Sequence, residues 1–320
     1  MERYLDLIIT EKNIEKNIEQ ILLHQAHLTR RQISQAKFRP GGIQKNGIQC
    51  RVNESVLPGD HICVCLENKS AVSGQLLPSK TSILPDILYE DADVIAVNKP
   101  AGILTHPSGV HYDDTLSNQL VRYFQDKKEQ TMIRPVGRLD KETSGIVLFA
   151  KNQIAAARLQ KQREDHLFCK QYVAAAKGFL PVDEINVWHT ISYPLIKISD
   201  HPIKMAAVVS DIQRDACNAV SLSRQLSAVT HYQVQKSMVN WSLLTVRLDT
   251  GRTHQIRVHM NAIGHPLLGD SLYENLSSPD FSFFKRAALH AWKVTFYQPF
   301  TGEKISLEAA FPEDFSYFSR

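Results

Sequence analysis

Near the start of the chain, apolar residues recur at helical spacing: Ile14, Ile18, Ile21 and Leu22. The next stretch, LTRRQISQAKF, offers Thr29 as an N-cap and predicts a short basic helix. Alternation then replaces the helical period. GGIQKNGIQCR reads as two short strands joined at Asn46-Gly47, and Pro58-Gly59-Asp60 turns the chain into the strand HICVCL. From about residue 67 to 85 the sequence is polar, with Ser, Pro and Lys and no sustained period, which is the composition of a linker. These patterns divide the chain into a small domain over residues 1–70, a linker over 71–85 and a large domain over 86–320.

The large domain opens on an alternating strand, DVIAVN, that ends in Lys99-Pro100-Ala101-Gly102. Asp114-Thr115 caps a helix over LSNQLVRYFQ. GIVLFAK predicts a short buried strand, and Asn152 caps the helix QIAAARLQKQRED. QYVAAAKG follows as a strand closed by Gly178, and residues 181–228 are loop-rich. Beyond them, AVTHYQVQK and WSLLTVRLDTG alternate as the two arms of a hairpin. THQIRVHMNAIG predicts a helix with Ile256, Met260 and Ile263 on one face and Gly264 as its stop. ALHAWKVTFY is a final strand before a turn at TGEK.

Composition changes this picture little. Over 320 positions, 43% hydrophobic and 22% charged residues are ordinary for a globular protein. No apolar run reaches the about 18 residues of a membrane span, and MERYLDLIITEKNIEKN lacks the apolar stretch of a secretory signal. A cytoplasmic protein without membrane contact is expected. Five irregularly placed cysteines form neither a disulfide framework nor a CxxC pair, so no metal is expected. The net charge of +4 matters less than its distribution. Six basic residues (Arg30, Arg31, Lys37, Arg39, Lys45 and Arg51) fall between His27 and Arg51 without one Asp or Glu. Such a stretch is either a solvated face or a surface for phosphates.

Common catalytic signatures are absent: there is no GxSxG, no Walker-type phosphate loop, no HExxH and no GxGxxG. His254 and His259 stand about 140° apart around a helix and cannot readily share an ion. On the same helix His254, Arg257 and Asn261 form a polar face. It is a solvated face, or one that holds phosphate or a buried carboxylate. In GRLDKETSG, Asp140 follows Arg138 by two positions in a turn that feeds the apolar run IVLFA. Asp140 is then a turn acid, a nucleophile or a lone general base.

Four segments in this order, VGRLDKETSGIVLFAK, KQYVAAAKG, LDTGRTHQIRVHMNAIGHPLLGDSLY and ALHAWKVTF, closely resemble the RluA family of pseudouridine synthases. YEDADVIAVNKPAGILTHPSG is similar to that family's opening strand and loop, and the likeness covers roughly residues 85 to 310. The resemblance implies an α+β fold, a mixed and mostly antiparallel central sheet with flanking helices. It also implies an isomerase that turns uridine into pseudouridine in structured RNA, with no cofactor and no metal. Asp140 then falls on the family's nucleophile and Arg257 on the basic residue that salt-bridges it. Tyr172 falls on the tyrosine that stacks on the target base, and Leu289 on the apolar wall of the uracil pocket. Arg138 matches an arginine that holds the gap left by the flipped nucleotide, and Arg252 and His254 join it as substrate-binding candidates. Many members carry His before the Arg-Leu-Asp triplet, where this chain has Gly137.

The first seventy residues resemble a second family through TRRQI, GIQKNG and PGDHICV. It is the small α/β RNA-binding module named after ribosomal small-subunit protein four, and it turns Arg30, Arg31 and Lys37 toward RNA. Ribosomal RNA is the favoured substrate, transfer RNA the second, and no obligate protein partner is implied. Two other classes are disfavoured. A non-catalytic RNA-binding or ribosome-assembly factor with this fold has no reason to keep Arg-Leu-Asp, and a carboxylate hydrolase lacks its second acid.

Overall fold

The structure is a computed structural model that describes residues 4–13, 16–26, 28–65, 76–81, 83–129, 131–182, 187–198, 201, 203–209, 225–273 and 284–319. Ile14, positions 71–75 and 82 of the expected linker, and part of the stretch 181–228 lie outside the described residues. The chain forms two compact units, residues 1–75 with 153–158 and residues 76–152 with 159–320. Among the described residues no helix is long and apolar enough to cross a membrane.

In the smaller unit, β1 (Tyr4–Ile8), β2 (Ile43–Lys45), β3 (Ile48–Gln49) and β4 (His61–Cys65) form an antiparallel sheet in the order β1-β4-β2-β3. Helices α1 (Ile18–His24) and α2 (Arg30–Lys37) complete it. The start of α2 is written in T-x-x-Q: Thr29 accepts the Gln32 N–H while the Gln32 side chain accepts the Thr29 N–H. Asn46 and Gly47 both take positive φ, 53° and 80°, as a two-residue hairpin turn requires. Ile18, Ile21 and Leu22 of α1 are buried, as are Ile33 of α2 and Ile62 and Val64 of β4.

The larger unit contains β5 (Asp86–Glu90), β6 (Val94–Lys99), α3 (Leu116–Asp126), β7 (Arg134–Val136), β8 (Ser144–Ala150), α4 (Gln153–Glu164) and β9 (Cys169–Lys177), with the first half of α4 assigned to the smaller unit. It continues with β10 (His189–Ile191), β11 (Leu195–Lys197), β12 (Met205–Ala207), β13 (Thr230–Ser237), β14 (Trp241–Leu248), α5 (Gln255–Ala262), β15 (Leu289–Tyr297) and β16 (Lys304–Glu308). Ten strands make one sheet, ordered β10-β13-β14-β9-β15-β8-β6-β5, with β16 on β15 and β7 on β8. Only the β15–β8 pair is parallel among the described strands, so the sheet is mixed and mostly antiparallel. The fold is α+β.

All seven residues of β8 are buried, which explains why SGIVLFA is apolar throughout rather than alternating. Gly145 is the residue that permits the parallel pair. At φ +107° it lies so close to β15 that a Cβ would stand 2.3 Å from the Ala291 carbonyl oxygen. Thr115 is the N-cap of α3, and the Asn118 side chain accepts its N–H. Apolar side chains of β6, β8, β9, β14, α3 and α5 meet in one core that also takes in Leu139, Tyr172 and Leu289. The candidate residues thus begin where the core ends.

Helix α5 decides between the two readings of its polar face. Every residue from His254 to Met260 is buried and only Asn261 is exposed, so the polar face is not solvated as a unit. The loop-rich residues 181–228 contain the short strands β10, β11 and β12.

Candidate active site

Asp140 sits in a loop tied down on both sides. Thr105 Oγ1 donates to the Leu139 carbonyl and accepts the Leu139 N–H, at 3.1 and 3.2 Å. The Thr143 N–H reaches the Asp140 carbonyl at 3.2 Å, and the Gly102 N–H reaches the Lys141 carbonyl at 2.8 Å. Lys99, fully buried at the end of β6, donates to the carbonyls of Pro100, Ile103 and Lys141 at 2.9, 3.0 and 3.2 Å. Burial pulls this ammonium down to about 7, with Arg286 adding to the shift and Asp140 opposing it. Only the charged –NH3+ form has three N–H donors for the three carbonyls, so the geometry holds the proton on. Arg286 completes the clamp by donating to the Glu142 carbonyl at 3.0 Å while gripping Asp314 with two further bonds of 2.6 and 2.9 Å.

These ties leave the half-buried Asp140 facing a cavity of about 570 Å³. The cavity brings together all seven candidates of the large domain: Asp140, Tyr172, Arg257, Arg138, Leu289, Arg252 and His254. Arg30, Arg31 and Lys37 are exposed on α2 of the smaller unit. Tyr172 comes from β9, opposite Val246 of β14, and Leu289 starts β15 opposite Ala174 of β9. Burial pushes the Tyr172 phenol up, the Asp140 charge adds to this and Arg163 opposes it, so Tyr172 keeps its proton at neutral pH.

Arg257 is where the expectation needs correcting. Its guanidinium does not form an ion pair with Asp140. It is 4% exposed and holds the fully buried Asp270 in a two-pronged pair, Nε to Oδ2 and Nη2 to Oδ1, both 2.7 Å. Glu142 approaches the same Nη2 at 3.4 Å. The reason is electrostatic: a buried carboxylate is costly without a cation, and a fork-to-fork pair with arginine is its best partner. Burial works against the Arg257 charge, but Asp270 outweighs it and raises the pKa; Glu142 and Asp140 contribute less. Among the described residues no side chain hydrogen-bonds or ion-pairs with the Asp140 carboxylate, which feels Arg257 only through space.

His254 caps α5 in the left-handed region, φ 55°, a strained conformation for a non-glycine residue. Its Nδ1 is 3.0 Å from the Tyr273 hydroxyl, which in turn accepts the Met205 N–H at 3.0 Å. Burial lowers the His254 pKa against the pull of Asp140.

Asp270, Glu142, Lys99, Thr105 and Arg286 are the parts that reading the sequence missed. Asp270 had one visible signal, a lone acid in the apolar run HPLLGD just after α5.

Residues 93–262 match the family model described as RNA pseudouridylate synthase. The uncharacterized RNA pseudouridine synthase YhcT of Bacillus subtilis is 38% identical over 281 residues, covering 85% of this chain and 84% of its own. Ribosomal large subunit pseudouridine synthase D of Zymomonas mobilis is 37% identical over 238 residues, 72% of this chain and 70% of its own. Among solved structures, human RNA pseudouridylate synthase domain containing 1 superposes with a TM-score of 0.55 at 26% identity, over 71% of this chain and 84% of that one. The chain belongs to the RNA pseudouridylate synthase family, isomerases that act on RNA.

Proposed function

We propose that this protein converts specific uridines of ribosomal RNA to pseudouridine, with Asp140 as the nucleophile. The reaction breaks the bond between N1 and C1′, turns the base, and joins C5 to C1′. The C5 proton leaves and N1 gains one, so the atoms balance without a redox partner. The observation that carries the reading is a carboxylate without an ion-pair partner among the described residues, at a cavity walled by Tyr172 and Leu289. At about 570 Å³, the cavity falls within the roughly 300–1,000 Å³ of small-ligand sites. A paired Asp140 would have to break that pair before attacking. Tyr172, protonated and apolar on its faces, is suited to stack on uracil and to hand over a proton. Arg257, fixed by Asp270, adds positive potential without quenching the nucleophile. A base can enter such a pocket only when flipped from its stack, and Arg138 is suited to hold the vacated gap.

Ribosomal RNA is preferred over transfer RNA because several relatives over 30% identical are named ribosomal large subunit pseudouridine synthase D. The same reading assigns residues 1–70 as an RNA-binding module of the small-subunit-protein-four type, 71–85 as a linker and 86–320 as the catalytic domain. Two helices with an exposed basic N-terminal turn, followed by a sheet with an Asn-Gly hairpin, support it. Arg30, Arg31 and Lys37 then contact RNA backbone, and a cytoplasmic location goes with the substrate.

The test maps pseudouridines in ribosomal RNA from cells with the gene, without it, and with Asp140→Asn. Specific sites vanish both without the gene and with the variant, and the purified variant loses activity by about 10⁴-fold or more. Sites that persist in Asp140→Asn would remove Asp140 from the chemistry. Unchanged ribosomal RNA in both strains would instead favour a binding factor.

A further inference from the structure

Arg163 lies in the last turn of α4, half-buried, and lines the same cavity as Asp140. Its guanidinium rests against two glycines from different loops. A Cβ on Gly137, just before Arg138-Leu139-Asp140, would stand 3.5 Å from Nη1. One on Gly251, just before Arg252, would stand 3.3 Å from Nη2. The two loops therefore leave a slot, and the guanidinium fills it. Arginine has five N–H donors, yet among the described residues the only acceptor is Gln160 Oε1, at 3.3 Å. No described carboxylate forms an ion pair with it. Its charge nonetheless reaches into the site, where it opposes protonation of Tyr172 and Lys170. Lys170 itself is engaged, donating to the Ile146 carbonyl at 2.9 Å.

A planar cation with open donors calls for a ligand with paired oxygen acceptors. The base has its place against Tyr172 and Leu289. On the loops that form the Arg163 slot stand two more exposed arginines, Arg138 and Arg252. Three cations lining one cavity suit an anionic backbone better than a neutral ring. We propose that Arg163 is a substrate-contacting residue that grips a phosphodiester flanking the target uridine. This rests on the RNA-isomerase reading above. Gly137 and Gly251 leave the fork open to the cavity: a Cβ at Gly251 would press on Nη2, while one at Gly137 would only touch Nη1.

The test uses the full-length protein with two probes, polyuridylate for binding and a large-subunit ribosomal RNA transcript for turnover. Removing one phosphate contact lowers the slope of log affinity against log salt by about 0.7 on single-stranded RNA. Arg163→Ala shows that loss on polyuridylate and raises KM on the transcript about tenfold, with kcat falling less. Arg163→Lys keeps the slope because it keeps the charge, but gives a smaller rise in KM from the lost fork. Gly251→Ala leaves every charge in place and sets a Cβ 3.3 Å from Nη2, so it keeps the slope, and whatever change in KM it brings vanishes in the Arg163→Ala background. Unchanged slope and KM in Arg163→Ala would overturn the proposal, as would a fall in kcat alone. If the wild-type protein makes no pseudouridine in the transcript while Arg163→Ala still flattens the slope, the substrate reading fails and the phosphate contact stands.

Discussion

The larger unit treats its arginines in two ways. Arg257 and Arg286 are held by buried or part-buried carboxylates: Asp270 takes both prongs of one, and Asp314 takes two bonds from the other. Arg138, Arg163 and Arg252 line the cavity without a carboxylate partner among the described residues, and Arg252 Nε reaches only the Ser227 carbonyl at 3.0 Å. The first pair shapes the site, and the second group is left for a ligand. The difference also explains Asp140. Arg257, whose charge Asp140 feels through space, already has Asp270, with Glu142 beside it, so the nucleophile candidate stays unquenched.

The comparison breaks most visibly at Asp270. Replacing it with Ala leaves the buried Arg257 with only the longer 3.4 Å contact to Glu142, and breaking a buried pair in this way costs about 3–5 kcal/mol. Urea unfolding of Asp270→Ala at pH 7 checks this. Leu272 and Tyr273 also donate their N–H groups to Oδ1, at 3.1 and 3.3 Å, so the loop after α5 loosens as well. A loss below 1 kcal/mol would mean that Arg257 finds Glu142 or Asp140 instead, and the rigid half of the comparison would be wrong.

A second test of the buried side is pH. His290 is fully buried between Ser144, whose Oγ is 2.9 Å from its Nδ1, and the rings of Phe311 and Phe315. Burial pushes its pKa down to about 4, and Arg286 pushes the same way. The Ala309 backbone opposes the shift, though it is not in hydrogen-bonding geometry with the ring's Nε2. The unfolded chain takes up this proton near 6.5, the folded one only near 4. The stabilisation is therefore complete above 6.5 and lost as pH falls toward 4, by about 3 kcal/mol for a shift of that size. Urea midpoints between pH 7 and 4 record the slope, and His290→Asn flattens it.

How much of this was legible depended on the range of the interaction. Thr29 with Gln32, Asn46-Gly47 and the apolar run of β8 are local statements, and the chain obeys them. The loop around Asp140 was readable as a loop, and its resemblance supplied candidates that do share one cavity. The partners of those candidates were not readable. Arg257 was legible only as part of a polar face that was either solvated or held phosphate or a buried carboxylate, because periodicity reports which residues share a face. What covers that face is decided by residues elsewhere, here Asp270, Glu142 and Tyr273. Lys99 reads as the end of a strand, and its three carbonyl partners come from two loops that only the fold brings together. Arg163 gave no signal at all, since its slot is made by the absence of side chains at Gly137 and Gly251.

The smallest expected effect on stability sharpens the comparison from its open side. Arg138 is exposed, and no hydrogen bond or ion pair from its guanidinium is found among the described residues. Truncation to Ala removes nothing the folded state uses, so stability stays within about 0.5 kcal/mol of wild type. RNA turnover does not escape, because the guanidinium is suited to hold the gap left by the extruded base. KM and kcat both worsen on a duplex target, where unstacking is costly, and less on a target in an unpaired loop. Thermal unfolding and paired kinetics on the two RNAs measure the contrast. Equal losses on both RNAs would make Arg138 a general phosphate contact like its neighbours, and a large loss of stability would place it with Arg257 among the arginines that hold the fold.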